Sequence, residues 1–259
     1  MSNRVAIVLA AGKGKRMKSD LPKVMIEVGG RPMIEYVLDS LDRGGIERMI
    51  VVVGHRAELV RTALEGRGVE FAIQTEQLGT GHAVMACREL LTGHDGPVLV
   101  LAGDQPMTRA DSIVTLFEEF ERGVAACVLG TTHKEDPAGL GRVVRDRHGE
   151  FTAIVEEKDA TNEQRRITEV NMSYYVFYWP DLLPVLDELK ADNAQGEYYI
   201  TDAPGMLLTR GKRVRALDVL KPHESLSINT VEELAAVEKA MKEIATQSTP
   251  IAFNQTWNP

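Results

Sequence analysis

The chain has 259 residues, 44% of them hydrophobic, enough for one large α/β domain with a sizeable core. Its formal net charge of −8 excludes a general nucleic-acid binder, which would need a basic face to displace counterions from phosphates. No run approaches the roughly 20 apolar residues of a membrane helix. Met1–Ala11 lacks the ordered parts of a signal peptide, and Cys87 and Cys127 sit in apolar sequence, so a cytoplasmic protein with a reduced core is expected.

Val5–Leu9 is rich in β-branched residues and reads as a buried strand. It runs into Leu9-Ala10-Ala11-Gly12-Lys13-Gly14-Lys15-Arg16-Met17, where small residues allow close backbone approach and consecutive N–H groups can form an anion-binding nest. Lys13, Lys15, Arg16, Lys18 and Lys23 face only Asp20, so an acidic chain concentrates positive charge at one place, as a small polyanionic ligand requires. The spacing fits neither G-x-x-x-x-G-K-[ST] nor G-x-G-x-x-G, because Met17 stands where a third glycine belongs.

Pro32 opens a helix over Met33–Arg43 that stops at Gly44-Gly45. Strands at Met49–Val53, Val69–Ile73, Val98–Ala102 and Val124–Leu129 alternate with helices at Ala57–Leu64, Thr80–Leu91 and Arg109–Arg122. That alternation predicts an α/β fold: a Rossmann-like, mainly parallel sheet with helices on both faces. After Gly130 the pattern changes. Arg142–Arg145 and Phe151–Val155 read as a hairpin across Asp146-Arg147-His148-Gly149, and Asn171–Trp179 as a long aromatic strand. A helix from Pro180 to Lys190, a strand at Val214–Leu220 and a closing helix at Val231–Ala245 follow. The expected organisation is one domain over residues 1–245, with a small β-rich subregion at about 130–201 that reads as a lid or a substrate side, and a polar tail over 246–259.

Three loops then carry chemistry. Gln74 ends a strand and Gly79-Thr80 opens a helix, where ligands of open α/β sheets sit; Thr80 also reads as a plain helix cap. Asp104 ends another strand, where a carboxylate suits Mg²⁺ or caps the next helix. Asn229 precedes the last helix beside Thr230 and Glu233, which fit a capping box.

The run Leu9–Met17 followed by Leu21-Pro22-Lys23 resembles the signature of the sugar-1-phosphate nucleotidyltransferase superfamily. Gln74-Thr75-Glu76-Gln77-Leu78-Gly79-Thr80-Gly81-His82-Ala83, Val155–Ala160 and Asn193–Asp202 are similar to one branch of it. That branch is the uridylyltransferase half of the bacterial bifunctional N-acetylglucosamine-1-phosphate uridylyltransferase/glucosamine-1-phosphate acetyltransferases. The resemblance runs from about Val5 to Ala245 and implies the nucleotide-diphospho-sugar transferase fold. It implies joining of UTP to N-acetylglucosamine 1-phosphate with Mg²⁺ as cofactor, giving UDP-N-acetylglucosamine, a cell-wall precursor, and pyrophosphate. Small-molecule partners follow, with no nucleic acid and no membrane; the oligomeric state stays open, a homo-oligomer included.

Residue by residue, the resemblance implies that Leu9, Ala10, Ala11, Gly12 and Lys13 bind nucleotide, with Gln74, Gly79, Thr80 and Gln77 at the uracil. A Gln amide matches the paired donor and acceptor of a uracil edge. Gly103 and Asp104 follow, the metal being shared by Asp104 and Asn229, while Arg16 and Lys23 stabilise the reacting phosphates. Gly141, Glu156 and Asn171 fall to the amino sugar; Glu156 taken alone also reads as a solvated charge. His82 is expected to be structural, and no chemistry is assigned to Tyr198, Tyr199 or Asp202.

The chain departs from the branch at Ala102, where the family often has Tyr, at Asn171-Met172-Ser173, where it has Asn-Thr-Gly, and at Thr230, where it has a second Asn. It ends without the hexapeptide repeats of the acetyltransferase half, so neither acetyl transfer nor acetyl-CoA binding is expected. Rival readings are the same reaction on glucose 1-phosphate and a non-catalytic UDP-sugar sensor. A molybdenum-cofactor cytidylyltransferase shares the basic loop and a Gly-Asp-x-Pro element, but the Gln-Leu-Gly-Thr-Gly-His-Ala and Gly-Glu-Tyr-Tyr-Ile-Thr-Asp runs do not suit it.

Overall fold

The computed structural model describes residues 3–14, 19–123, 125–226, 228 and 230–247, except the side chains of 231, 232 and 245–247. Its strands are β1 (Val5–Leu9), β2 (Glu27–Val28), β3 (Arg31–Pro32), β4 (Arg48–Val53), β5 (Glu70–Ile73), β6 (Pro97–Ala102), β7 (Cys127–His133), β8 (Gly141–Arg145), β9 (Phe151–Val155), β10 (Glu169–Tyr178) and β11 (Val214–Asp218). The helices are α1 (Met33–Arg43), α2 (Ala57–Ala63), α3 (Thr80–Met85), α4 (Ala110–Glu121), α5 (Trp179–Leu186), α6 (Asp202–Thr209) and α7 (Val231–Gln247).

One large sheet runs β11-β7-β10-β6-β1-β4-β5, with the β8–β9 hairpin attached to β10. β6, β1, β4 and β5 are mutually parallel, whereas β10 runs antiparallel to both β6 and β7. Each central strand alternates its side chains between two covered faces. Val5 and Ile7 of β1 pack on one side with α3, α5 and α6, through Val84, Leu182, Val185 and Leu207. Ala6 and Val8 pack on the other with α1, α2 and α4, through Leu38, Leu41, Val60, Ile113 and Phe117. Side chains such as Phe117 and Leu38, fully buried, contribute about 1.5–3 kcal/mol each by leaving water. A third cluster seats α7 on Ile26, Val28, Met33 and Met107 through Val237.

Several expected boundaries shift. β7 continues through Gly130 to His133, because β11 pairs with it as far as Thr131 and β10 as far as His133. α3 ends at Met85 rather than Leu91, the chain going on in tight turns to Gly93 with φ 76. α6 was not expected, since Pro204 and Gly205 disguise it; Pro204 lies in its first turn, where a missing N–H costs nothing. Asp146 does turn the β8–β9 hairpin, its carboxylate accepting the N–H groups of His148 and Glu150.

This topology places the site. β4 and β6 lie on opposite sides of β1, so β1 is the switch point of the sheet. In register, Leu9 stands between Val52 and Ala102, which brings the loops after β1, β4 and β6 together at the carboxyl ends of these strands. The loop after β5 joins them through its pairing with β4.

Candidate active site

At the carboxyl ends of these strands lies a cavity of about 260 Å³. Leu9, Ala11, Gly12, Lys23 and Val24 line it from the first loop, Gln74, Gln77, Gly79, Thr80 and Ala83 from the second, and Ala102 and Asp104 from β6. Ser173 and Glu197 complete it. A cavity in an α/β sheet with a few convergent polar groups is the expected form of a ligand site.

The loop after β1 folds back so that Lys23 N–H donates to Gly12 O at 3.3 Å. Gly14 adopts φ 60, and a Cβ there would stand 3.1 Å from the Cβ of Lys23, so this turn needs glycine. Lys23 is thereby aimed at β6, where its ammonium donates to the Asp104 carboxylate. Both side chains are largely buried, at 15% and 21% exposure. Asp104 therefore reaches across to the first loop and does not cap α4, whose first turn is held by Glu224 accepting the Arg109 N–H at 3.1 Å. Ala10 is buried and Lys13 exposed; neither side chain lines the cavity. Gly103 fits so closely under Leu9 O that a Cβ would lie 3.1 Å from it.

The second loop is built around Gln74, whose side-chain N–H₂ donates to Gly79 O at 3.0 Å. Gly79 has φ 112, and a Cβ there would meet Tyr198 O at 2.6 Å and Tyr198 N at 2.8 Å. The backbone of residues 197–200 is what presses on it: Tyr198 N–H donates to Leu78 O, and Gly81 N–H to Tyr198 O. Thr80 Oγ1 accepts the Ile200 N–H at 3.0 Å, so this hydroxyl ties two segments together and does not cap its own helix. Gln77 donates to Gln74 O at 3.3 Å. His82 contacts Glu76 O at 2.9 Å through Nδ1 and serves the loop structurally.

The sugar-side candidates also converge. A Cβ on Gly141 would lie 3.6 Å from both the Glu156 carboxylate and the Asn171 Cβ. Thr201 donates to Glu156 at 3.1 Å, and Asn171 Nδ2 donates to the Tyr175 hydroxyl at 2.7 Å. Burial raises the Glu156 carboxyl above its ordinary range, and the negative charges of Asp202, Asp159 and Glu197 push the same way, against the Thr201 hydrogen bond. The Gly139–Gly141 turn is fixed by Arg142, whose guanidinium donates to Leu140 O and, at 2.6 Å, to Glu157.

Arg16 and Asn229 lie outside the described residues. Thr230 and Glu233 do form the expected capping box, at 3.0 and 3.2 Å. Among the described residues no three His, Cys, Asp or Glu side chains cluster as metal ligands, and no helix is long and apolar enough to cross a membrane. Val24, Ala83, Ser173 and Glu197 also line the cavity and were given no role from the sequence. Ser173 carried a signal: it stands where the family has glycine, and its φ of 57 is the left-handed conformation glycine favours.

The chain is 42% identical over 241 residues to the bifunctional protein GlmU of Enterococcus faecalis, covering 93% of this chain and 52% of that one. It is 45% identical over 244 residues to the bifunctional protein GlmU of Streptococcus agalactiae, with the same coverage. It thus spans about half the length of these relatives. In fold it is similar to a UDP-glucose pyrophosphorylase complexed with UDP-glucose, at TM-score 0.75 and 18% identity, over 94% of this chain and all of that one. The MobA-like NTP transferase domain matches residues 6–203, and the chain belongs to that family.

Proposed function

We propose that the chain joins UTP to N-acetylglucosamine 1-phosphate, releasing pyrophosphate and forming UDP-N-acetylglucosamine. The observation that carries this reading is the meeting of Lys23 and Asp104 at one cavity with Gln74 and Gly79. Similarity to GlmU proteins over 93% of the chain supports the choice of reaction, and a UDP-sugar in the pyrophosphorylase of like fold supports a UDP-sugar product.

In the proposed reaction an oxygen of the sugar phosphate attacks the α-phosphorus of UTP. A new P–O bond forms, the bond to the β-phosphate breaks, and pyrophosphate takes the electron pair. The attacking group is already an oxyanion, so no general base is needed. The barrier is repulsion between anions, which positioning and cationic neutralisation lower. Lys23 supplies a fixed positive charge at the reacting phosphates, and the first loop offers its backbone around Gly12. Arg16 and Lys13 would hold the departing pyrophosphate. Gln74 and Gly79 would fix the base, and Gly141, Glu156 and Asn171 the amino sugar.

The proposed cofactor is Mg²⁺. Asp104 fits it as a hard oxygen donor at the cavity wall, and Asn229 would be its second protein ligand. When bound, the ion supplies further charge neutralisation between the two phosphates.

The test is pyrophosphate release with a panel of nucleoside triphosphates and sugar 1-phosphates in Mg²⁺. The reading expects UTP with N-acetylglucosamine 1-phosphate to be the best pair. Faster turnover of glucose 1-phosphate, or tight UDP-sugar binding with no turnover of any pair, would overturn it.

A further inference from the structure

Glu197 is a second carboxylate in the cavity that Lys23 and Asp104 line. It stands at the second loop, where the Cβ of Glu197 would lie 2.9 Å from a Cβ on Gly79. Its backbone is fixed on both sides: Glu197 N–H donates to Asn193 Oδ1 at 3.2 Å, and Asn193 Nδ2 donates to Glu197 O at 2.6 Å. The next residue, Tyr198, is bonded to the base loop through both its N–H and its carbonyl. The side chain is half-buried, and among the described residues its carboxylate takes no hydrogen bond and no ion pair.

A negative charge held beside a polyphosphate site repels the ligand unless hydroxyl groups come between them. Ionised carboxylates are pure acceptors with several lone-pair sites, well matched to ring hydroxyls. A nucleotide-sugar offers such hydroxyls on two rings, the ribose and the transferred sugar. Gly79 belongs to the base loop, and the ribose is the ring joined directly to the base. Acidic residues that read ribose hydroxyls are a recurrent solution in α/β nucleotide sites.

We propose that Glu197 is a specificity-determining residue that accepts hydrogen bonds from ring hydroxyls of the bound nucleotide-sugar, the ribose foremost. The proposal rests on the uridylyltransferase reading, but its first test needs binding alone. Affinities for UTP and dUTP are measured by calorimetry for the wild-type chain and for Glu197→Ala and Glu197→Gln. The wild-type chain prefers UTP by about tenfold, since a site that pairs with a hydroxyl penalises its loss. Glu197→Ala collapses that ratio to about twofold or less, and Glu197→Gln, which keeps an acceptor oxygen, falls between. A second arm measures KM for the sugar 1-phosphate. An unchanged UTP/dUTP ratio with a fivefold or greater rise in that KM assigns the hydroxyls to the transferred sugar. No change in either quantity on Glu197→Ala overturns the proposal. Absence of turnover in the wild-type chain would count against the reaction and leave the binding ratio to decide Glu197.

Discussion

Lys23 and Asp104, 81 residues apart in sequence, form an ion pair across the switch point of the sheet. One arrives from the loop after β1 and the other from the end of β6, so the pair joins the proposed phosphate-binding loop to the proposed metal ligand. Replacing Lys23 by Met should lower kcat by about 10²–10³-fold, the range found when one preorganised donor to a developing charge is removed. Asp104→Asn should lower turnover at fixed Mg²⁺ and raise the Mg²⁺ concentration needed for half-maximal rate. Steady-state pyrophosphate release measures both, and near-wild-type kcat in both variants would contradict the roles given.

Gly79 illustrates how backbone crowding specifies a residue. With φ 112 and Tyr198 backbone atoms where a Cβ would stand, Gly79→Ala forces the loop after β5 off residues 197–200. The expected result is a rise in KM for UTP of about tenfold or more, with a loss of stability of about 1–3 kcal/mol from strain at a special φ. Urea unfolding beside initial-rate kinetics checks it; unchanged KM would show that the loop adapts.

Ser173 makes the opposite prediction. It holds φ 57 at the irregularity between Asn171 and Tyr174 of β10, beside the cavity. A left-handed conformation costs a non-glycine residue about 1–2 kcal/mol, and glycine loses about 0.5–1 kcal/mol more chain entropy on folding. Ser173→Gly should therefore stabilise the chain by about 0.5–1 kcal/mol, read as a higher urea midpoint at constant m. A lower midpoint would mean that the Ser173 side chain contributes more than its strain costs.

The Glu156 carboxyl is raised by burial, so the fold binds its proton more tightly than the unfolded chain does. That contribution is fully present below the unfolded carboxylate pKa and is lost as pH rises through the raised folded value. Glu156→Gln removes this dependence. Its Tm should exceed that of the parent at about pH 8, and the gap should close toward about pH 4. A difference independent of pH would contradict this, whatever the variant does to KM for the sugar phosphate.

Burial also pushes the Cys87 thiol up to about 12 and raises the Cys127 thiol in the same direction. The thiolate is the reacting form. Neither cysteine should react with a disulfide reagent at about pH 8 in the native chain, and both should react at once in guanidinium. Rapid labelling of the folded chain would place one of them outside the core.

Much of this was legible in the sequence because its signals are local. Val5–Leu9 and Met33–Arg43 appear at their expected bounds, since β-branched runs, Pro32 and Gly44 act within a few residues. Gln74 and Asp104 could be placed because each follows the end of a strand, and Gly79 because it opens a helix. What was not legible depends on partners far along the chain. β7 runs through Gly130 only because β10 and β11 pair with it there. Thr80 looked like a cap until Ile200 took its hydroxyl, and nothing near Glu197 shows that it lines the cavity with the loop after β5. The pairing of Lys23 with Asp104 is likewise a property of strand order, which no spacing within either motif encodes.

The most direct measurement is a crystal structure of the chain with UDP-N-acetylglucosamine and Mg²⁺. The account predicts uracil against Gln74 and Gly79, the diphosphate within hydrogen-bond reach of Lys23 and the Gly12 backbone, and the amino sugar toward Gly141 and Glu156. A ligand bound away from the loop after β1, or one whose diphosphate lies outside the reach of both Lys23 and Asp104, would contradict it.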